Sequence, residues 1–155
     1  MGQRMAGKVA LISGGASGLG EAQAILYARE GAAVMIGDLQ DAKGADVVAR
    51  IQADGGHAAF TRLDVTDLES WNAAVALTVA TFGKLTTLVN NAGIFHPGGV
   101  QSETVQGWER MVAINQTGVF YGMKAASPEL VKAGNAAIVN ISSLYGLIGS
   151  PDAIS

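Results

Sequence analysis

"KVALISGGASGLGEAQAI", residues 8–25, passes from an apolar run through a cluster of glycines into a segment of helical composition. The run "KVALIS" (8–13) carries no polar alternation, which suits a strand of a parallel sheet covered on both faces. Gly14, Gly18 and Gly20 follow in a G-x-x-x-G-x-G pattern, with Ser13 at its head and Ser17 within it. The literal G-x-G-x-x-G fingerprint is absent, because position 23 is Gln. The physics is shared all the same. Glycines turn the chain tightly, let the backbone approach a pyrophosphate, and aim the N–H groups of a helix start at its negative charge. Taken alone, such a loop is open to two readings, a structural turn or a dinucleotide site.

Outward from this stretch the same alternation repeats. Further apolar runs are "AAVMIG" (32–37), "HAAFTRL" (57–63), "LTTLVNN" (85–91) and "AAIVNIS" (136–142). The segments between them have helical period. Trp71, Val75, Val79 and Phe82 form one stripe, Leu19, Ala22 and Leu26 a second, and Val48 with Ile51 a third. On a helix spanning 104–125, Trp108, Met111, Gly118 and Gly122 make a fourth. Gly31, Gly55 and Gly83 each fall just past such a segment, where a helix stops in the left-handed conformation. The β-α-β-α order predicts a doubly wound α/β fold with helices on both faces of the sheet, as one domain over residues 1–155. In such sheets ligands bind beyond the carboxyl ends of the strands, at the switch point beside the first strand.

The residues that follow each strand are therefore the candidates. Asp38 closes "GD" eighteen residues beyond Gly20, near the offset at which a carboxylate meets the adenosine ribose. Its charge accepts hydrogen bonds from ribose hydroxyls and repels a 2′-phosphate, while Leu39, Gly15 and Ala16 offer no cation to one. NAD is thus expected over NADP. Asp38 and Asp41 are also each competent to cap the next helix. In "LDVTD", Asp64 can accept from an adenine amino group with Val65 covering the ring, or Asp64 can be turn chemistry with Thr66 or Asp67 as the cap. In "NNAG", Asn90 and Asn91 bring carboxamides to a strand end, followed by small Ala92 and Gly93; buried amides there can equally cross-link neighbouring strands.

Composition narrows the classes. The chain has 155 residues, 49% hydrophobic and 15% charged, with 21 glycines and a net charge of −3. No basic, aromatic-interleaved patch is present, so nucleic acid is not an expected partner. Cysteine is absent, which removes disulfides, thiolate nucleophiles and cysteine metal sites; no metal site is expected. No run approaches the roughly 20 apolar residues of a membrane span. The N-terminus lacks a signal-peptide pattern, and Gly2 lacks the Ser or Thr at position 6 of a myristoylation motif, so a cytoplasmic protein is expected.

"SGGASGLG", "GD", "DV", "NNAG", "INQTGVF" and "IVNISS", in this order and spacing, resemble the classical short-chain dehydrogenase/reductase family of NAD(P)-dependent oxidoreductases. The resemblance covers essentially the whole chain. It implies a Rossmann-like, three-layer α/β/α fold with five of the usual seven strands, and hydride transfer between nicotinamide and a secondary alcohol or ketone, steroid-like or small and alicyclic. It implies that Ser13, Gly14, Ser17, Gly18, Leu19 and Gly20 serve the pyrophosphate loop, and that Asp38 and Leu39 meet the adenosine ribose. Asp64 and Val65 then flank adenine, and Asn91, Ala92 and Gly93 lie under the nicotinamide ribose. Ser143, the second Ser after the fifth run, is implied to polarise the carbonyl oxygen. A neutral serine hydroxyl can donate such a bond without activation; a strand-end Ser-Ser is otherwise a turn or cap. Asn115, a poor helix former in a helical stretch, either ties this helix to the next strand or, by resemblance, holds a proton-relay water.

The family also uses a Tyr with a Lys four residues later, on one helix face, so that the ammonium lowers the phenol pKa. Here Tyr27, Tyr121 and Tyr145 are followed at i+4 by Gly31, Ala125 and Gly149, and the family's interval from Ser143 points to position 156. The expectation is a front part of a longer, tetrameric or dimeric enzyme, whose literal 155 residues turn over nothing, expose a sheet edge and aggregate. The competing expectations are an inactive nucleotide-binding module and a sugar-nucleotide epimerase.

Overall fold

A computed structural model describes residues 3–149; Gly2 and the tail 150–155 lie outside the described residues. The five apolar runs are strands: β1 (Val9–Ser13), β2 (Ala33–Asp38), β3 (His57–Arg62), β4 (Thr87–Asn90) and β5 (Ala137–Asn140). All pairings are parallel, in the order β3-β2-β1-β4-β5, and Ile12 stands opposite Ile36 on one side and Val89 on the other. The chain thus works outward from β1 to β3, then crosses back to lay β4 on the other flank of β1. That reversal is the switch point of a Rossmann-like sheet.

Helices α1 (Gly18–Arg29), α2 (Asp41–Ala53) and α3 (Leu68–Phe82) separate the first four strands. Between β4 and β5 the chain runs through α4 (Val105–Val112), a π-helical turn (Ala113–Thr117) and α5 (Gly118–Ala133). Successive strand residues point to opposite faces, so each strand feeds two cores. Ala10, Ile12, Val34 and Ile36 pack with Ala24, Ala28, Val47 and Ile51 of α1 and α2. Leu11, Met35 and Leu88 pack on the other face with Trp71, Ala74 and Val75 of α3 and Ala126 and Leu130 of α5. Each large side chain buried this way contributes roughly 1.5–3 kcal/mol. No helix among the described residues is long and apolar enough to cross a membrane.

The α3 stripe falls where the periodicity puts it, with Trp71 and Val75 buried and Val79 and Phe82 packed at its margin. Gly31, Gly55 and Gly83 have positive φ, 94°, 79° and 81°, at the ends of α1, α2 and α3. Three other stripes are corrected. On α1, Leu19 is 68% and Leu26 49% exposed, and the buried face is Gly20, Ala24 and Ala28. The helix start lies so close to the loops at the strand ends that a Cβ on Gly20 would run into the Gly14 carbonyl and the Asn91 amide. Leucine has no room on that face, and small residues carry the contact. On α2 the buried face is Gly44, Val47 and Ile51, with Val48 at its margin, because Gly44 is pressed against the Phe60 ring. In the fourth stripe Met111, Gly118 and Gly122 are buried but Trp108 is 45% exposed, since α4 extends past the sheet end and has no strand beneath it.

β5 differs from the other strands in exposure. All four of its residues are exposed, including Ile138 and Val139, and the strand is the last in the sheet order. Only β4 pairs with it among the described strands.

Gly122 marks where α5 comes closest to the sheet: a Cβ there would strike Asn90 Oδ1 and lie 2.9 Å from the Trp71 ring. Gly→Ala in a helix normally stabilises by about 1 kcal/mol. Here overpacking outweighs that gain, and Gly122→Ala is expected to destabilise the fold by about 1–3 kcal/mol, measured by urea denaturation. A stability equal to or above that of the native chain would refute this packing.

Candidate functional site

The carboxyl ends of β1 and β4 are locked together by side chains. Asn91 donates from Nδ2 to the carbonyls of Ser13 (3.0 Å) and Gly14 (3.2 Å). The Ser13 hydroxyl accepts from the N–H groups of Asn91 and Ala92, both at 3.1 Å, and donates to the Val89 carbonyl at 3.4 Å. One strand over, Asn90 Nδ2 donates to Asn140 Oδ1 at 2.8 Å, joining the ends of β4 and β5. The paired amides therefore cross-link strand ends. Gly14, at φ 65°, begins the turn that this lock supports, and Gly15 donates to the Gly37 carbonyl at 3.3 Å, bringing the loop over β2.

Asp38 sits at the end of β2, 7% exposed. Its Oδ2 accepts from the Ala16 N–H at 3.0 Å, so the carboxylate also fastens the glycine loop. Its Oδ1 accepts from the Gln40 N–H at 3.0 Å and from Gln40 Nε2 at 3.4 Å. Asp38 does not cap α2; Gln40 occupies the cap position. At the end of β3, Asp64 Oδ1 accepts from the N–H and hydroxyl of Thr66 at 2.9 and 2.7 Å, and Asp67 caps α3 through the Glu69 N–H.

A cavity of about 480 Å³ runs along these strand ends. Ten of the predicted cofactor residues line it: Gly14, Ser17, Leu19, Asp38, Leu39, Asp64, Val65, Asn91, Ala92 and Gly93. Ser17 is the residue before α1 and uses its side chain in no capping bond, so its hydroxyl is available to a ligand. Three predicted residues lie outside the lining and act as supports. Ser13 is buried beneath it, Gly20 is the contact of α1 with the loop, and Gly18, at φ 57°, opens the helix. The lining also includes Gln40, Leu63, Ile94, Arg110 and Ile114, which the motifs did not single out. Leu63 and Ile94 directly follow predicted residues or the strands that carry them, a signal open to sequence reading. Arg110 and Ile114 come from the helix that overhangs the site, and only the crossover brings them there.

Asn115 lies inside the π-helical turn, which inserts one residue per turn relative to an α-helix and re-aims the side chain. Its Nδ2 donates to the Ile94 carbonyl at 2.8 Å, and its Oδ1 accepts from the Ile94 N–H at 2.9 Å. Of the two readings of Asn115, the tie to the next strand is corrected: the residue is exposed and clamps the loop that follows β4, not β5. That clamp uses one N–H and one lone pair of the carboxamide, leaving one of each for a further partner. Ser143 stands beyond β5, outside the cavity lining, and its Oγ accepts from the Tyr145 N–H at 3.2 Å at the start of a 3₁₀ turn (Leu144–Gly146). That bond uses a lone pair, and the hydroxyl proton is left to donate. Phe95 and Tyr145 stack at 5.7 Å with rings 15° apart, joining the loops that follow β4 and β5.

The glycine loop, the carboxylate at β2 and the helix start α1 stand together at a topological switch point, the place where doubly wound sheets bind ligands. Comparison with known proteins agrees. The family model for short chain dehydrogenases matches residues 8–155, and the chain belongs to that family. It is 62% identical over 147 residues, 95% of its length, to the 2,5-dichloro-2,5-cyclohexadiene-1,4-diol dehydrogenase LinX of Sphingobium indicum, of which it covers 59%. It is 48% identical over 152 residues to the trans-4-hydroxycyclohexanecarboxylate dehydrogenase of Sinomonas cyclohexanicum, covering 94% of this chain and 58% of that one. Among solved structures, the apo form of LigD from Sphingobium sp. strain SYK-6 superposes with a TM-score of 0.92 at 32% identity, over 96% of this chain and 64% of that one. The chain thus spans somewhat over half the length of these curated dehydrogenases.

Replacing Asn115 by Ala removes both bonds to Ile94 while leaving an exposed surface. Hydrogen exchange of the Ile94 amide is expected to accelerate by about fivefold, in line with the ~1 kcal/mol of one net hydrogen bond, with global stability nearly unchanged. An unaltered exchange rate would show that the loop is held by other contacts.

Proposed function

We propose that the chain is the dinucleotide-binding domain, spanning residues 1–155, of an NAD-dependent oxidoreductase that acts on a secondary alcohol or ketone in an alicyclic ring. The observation that carries the reading is the cavity itself. It joins an uncharged glycine loop with its helix start, the buried Asp38 carboxylate and the Asp64–Val65 pair, in the order in which a dinucleotide presents diphosphate, ribose and base. The alicyclic class is supported by the names of the relatives, both dehydrogenases of substituted six-membered rings.

The residues fit the group. The first N–H groups of α1 have no intrahelical partner and face the diphosphate position. Asp38, fixed by two backbone N–H groups, keeps lone pairs for ribose hydroxyls and sets a negative charge where NADP would place its 2′-phosphate. Asp64 and Val65 receive the base, and Asn91, Ala92 and Gly93 the second ribose. Bound nicotinamide supplies the chemistry, exchanging a hydride at C4 with the carbinol carbon. Ser143 donates a hydrogen bond, keeping its proton, to the substrate oxygen as charge builds there, and the carbinol proton passes to the tyrosine of the Tyr/Lys pair that the family uses. Asn115 acts as a positioning residue, holding the loop after β4 in place through Ile94. The intact enzyme is cytoplasmic and a homotetramer or homodimer, a reading supported for the assembly by the exposed apolar side chains of the α4–α5 region, Trp108 and Phe120 among them.

Titration with NADH and NADPH tests the reading. The native chain is expected to quench NADH fluorescence in a saturable manner, with NADPH bound at least tenfold more weakly. Asp38→Ala should weaken NADH by ten- to a hundredfold, the range of a hydrogen bond to a charged group, and NADPH far less. Equal loss for both would take Asp38 off the ribose.

A further inference from the structure

The loop that follows β4 is fastened at two points. Ser13 Oγ accepts from the N–H groups of Asn91 and Ala92, and the Asn115 carboxamide pairs with both backbone groups of Ile94. The next residue, Phe95, is therefore carried on anchored backbone. The segment that follows β5 has no such anchors: among the described residues, every hydrogen bond of residues 142–148 is internal to that segment. Ser143 stands near its start.

The two loops leave the sheet in step. Asn90 and Asn140 are register partners, the Ile141 N–H donates to the Asn90 carbonyl at 2.9 Å, and each aromatic is the fifth residue beyond that pair. Phe95 and Tyr145 then meet as a stack, with centroids 5.7 Å and planes 15° apart, within the range that aromatic pairs prefer. The Tyr145 N–H in turn donates to Ser143 Oγ at 3.2 Å. A continuous chain of contacts thus runs from Asn115 through Ile94, Phe95 and Tyr145 to the Ser143 hydroxyl.

We infer that Phe95 and Tyr145 are positioning residues: their stack carries the Asn115 clamp across to the β5 side and holds the Ser143 hydroxyl in the orientation from which it donates. This rests on the role of Ser143 proposed above. A serine hydroxyl turns about single bonds, so an N–H fixed on one of its lone pairs limits the directions left to its proton. A donor aimed before charge builds on the substrate oxygen needs no reorganisation in the transition state, so loosening Tyr145 costs turnover rather than cofactor affinity.

The test uses the intact enzyme with NAD and two probe alcohols, cyclohexanol and trans-4-hydroxycyclohexanecarboxylate. Phe95→Ala is expected to accelerate hydrogen exchange at the Tyr145 amide by about two- to tenfold, the range of one aromatic pair. It should lower kcat by a similar factor and leave KM and the Kd of NADH unchanged. Phe95→Tyr, which keeps the ring, should restore both exchange and kcat. On a Ser143→Ala background, Phe95→Ala should lower kcat no further. Circular dichroism should be superimposable for all of these proteins, because Phe95 is half-exposed. Unchanged Tyr145 exchange would overturn the inference, as would faster exchange with unchanged kcat. A loss confined to KM would make Phe95 a substrate contact and overturn it too, and so would an undiminished second loss on the Ser143→Ala background. The exchange is read without substrate, so the two proposals fail separately. If Ser143→Ala alone left kcat intact, or the native enzyme oxidised neither alcohol, the proposed function would fall first and take this inference with it.

Discussion

The site depends on the lock between the ends of β1 and β4. Neighbouring strands in a parallel sheet stop being held by the ladder once the last backbone bond is made, and at the switch point the two following loops diverge. Ser13 and Asn91 extend the connection past that limit with five hydrogen bonds, two from the Asn91 amide and three at the Ser13 hydroxyl. The crevice between the diverging loops keeps its width because of them. An alanine at either position would leave several buried backbone groups unpaired, each at a cost of about 1–3 kcal/mol.

Close approach is the second constraint, and it explains the composition. The first helix lies nearer to the strand-end loops, and the fifth nearer to the sheet, than a side chain allows, through Gly20 in one case and Gly122 in the other. On the first helix this brings the N-terminal N–H groups down to the glycine loop; on the fifth it brings Ile114 and Arg110 over the cavity. Small residues are therefore spent where two backbones must meet a ligand, and the larger side chains are moved elsewhere. Leu19, displaced from the core in this way, becomes a wall of the cavity.

Much of the fold was legible because its signals are local. A strand buried on both faces needs an unbroken apolar run, and a helix that ends in the left-handed region needs a glycine, as at Gly83; neither depends on knowing what lies opposite. Helix faces were less legible. The periodic leucines of α1 read as a buried stripe, yet Gly20, Ala24 and Ala28 are the ones inside, because hydrophobicity ranks leucine above glycine while the separation of helix and sheet ranks them the other way. Trp108 failed similarly: its spacing is right, but the sheet ends before it.

For the site, sequence by itself determined the residues that follow a strand, since chain continuity places Gly14, Asp38, Asp64 and Asn91 at strand ends once the strands are known, and parallel pairing brings those ends together. Tertiary structure alone decided what arrives from across the crossover. The π-helical turn aims Asn115 back at Ile94, and the overhang of α4 puts Arg110 at the cavity, through contacts between segments that share no local pattern. The physical reason is that periodicity records which side of an element is buried, whereas the distance and angle at which two elements meet are set by the side chains of both.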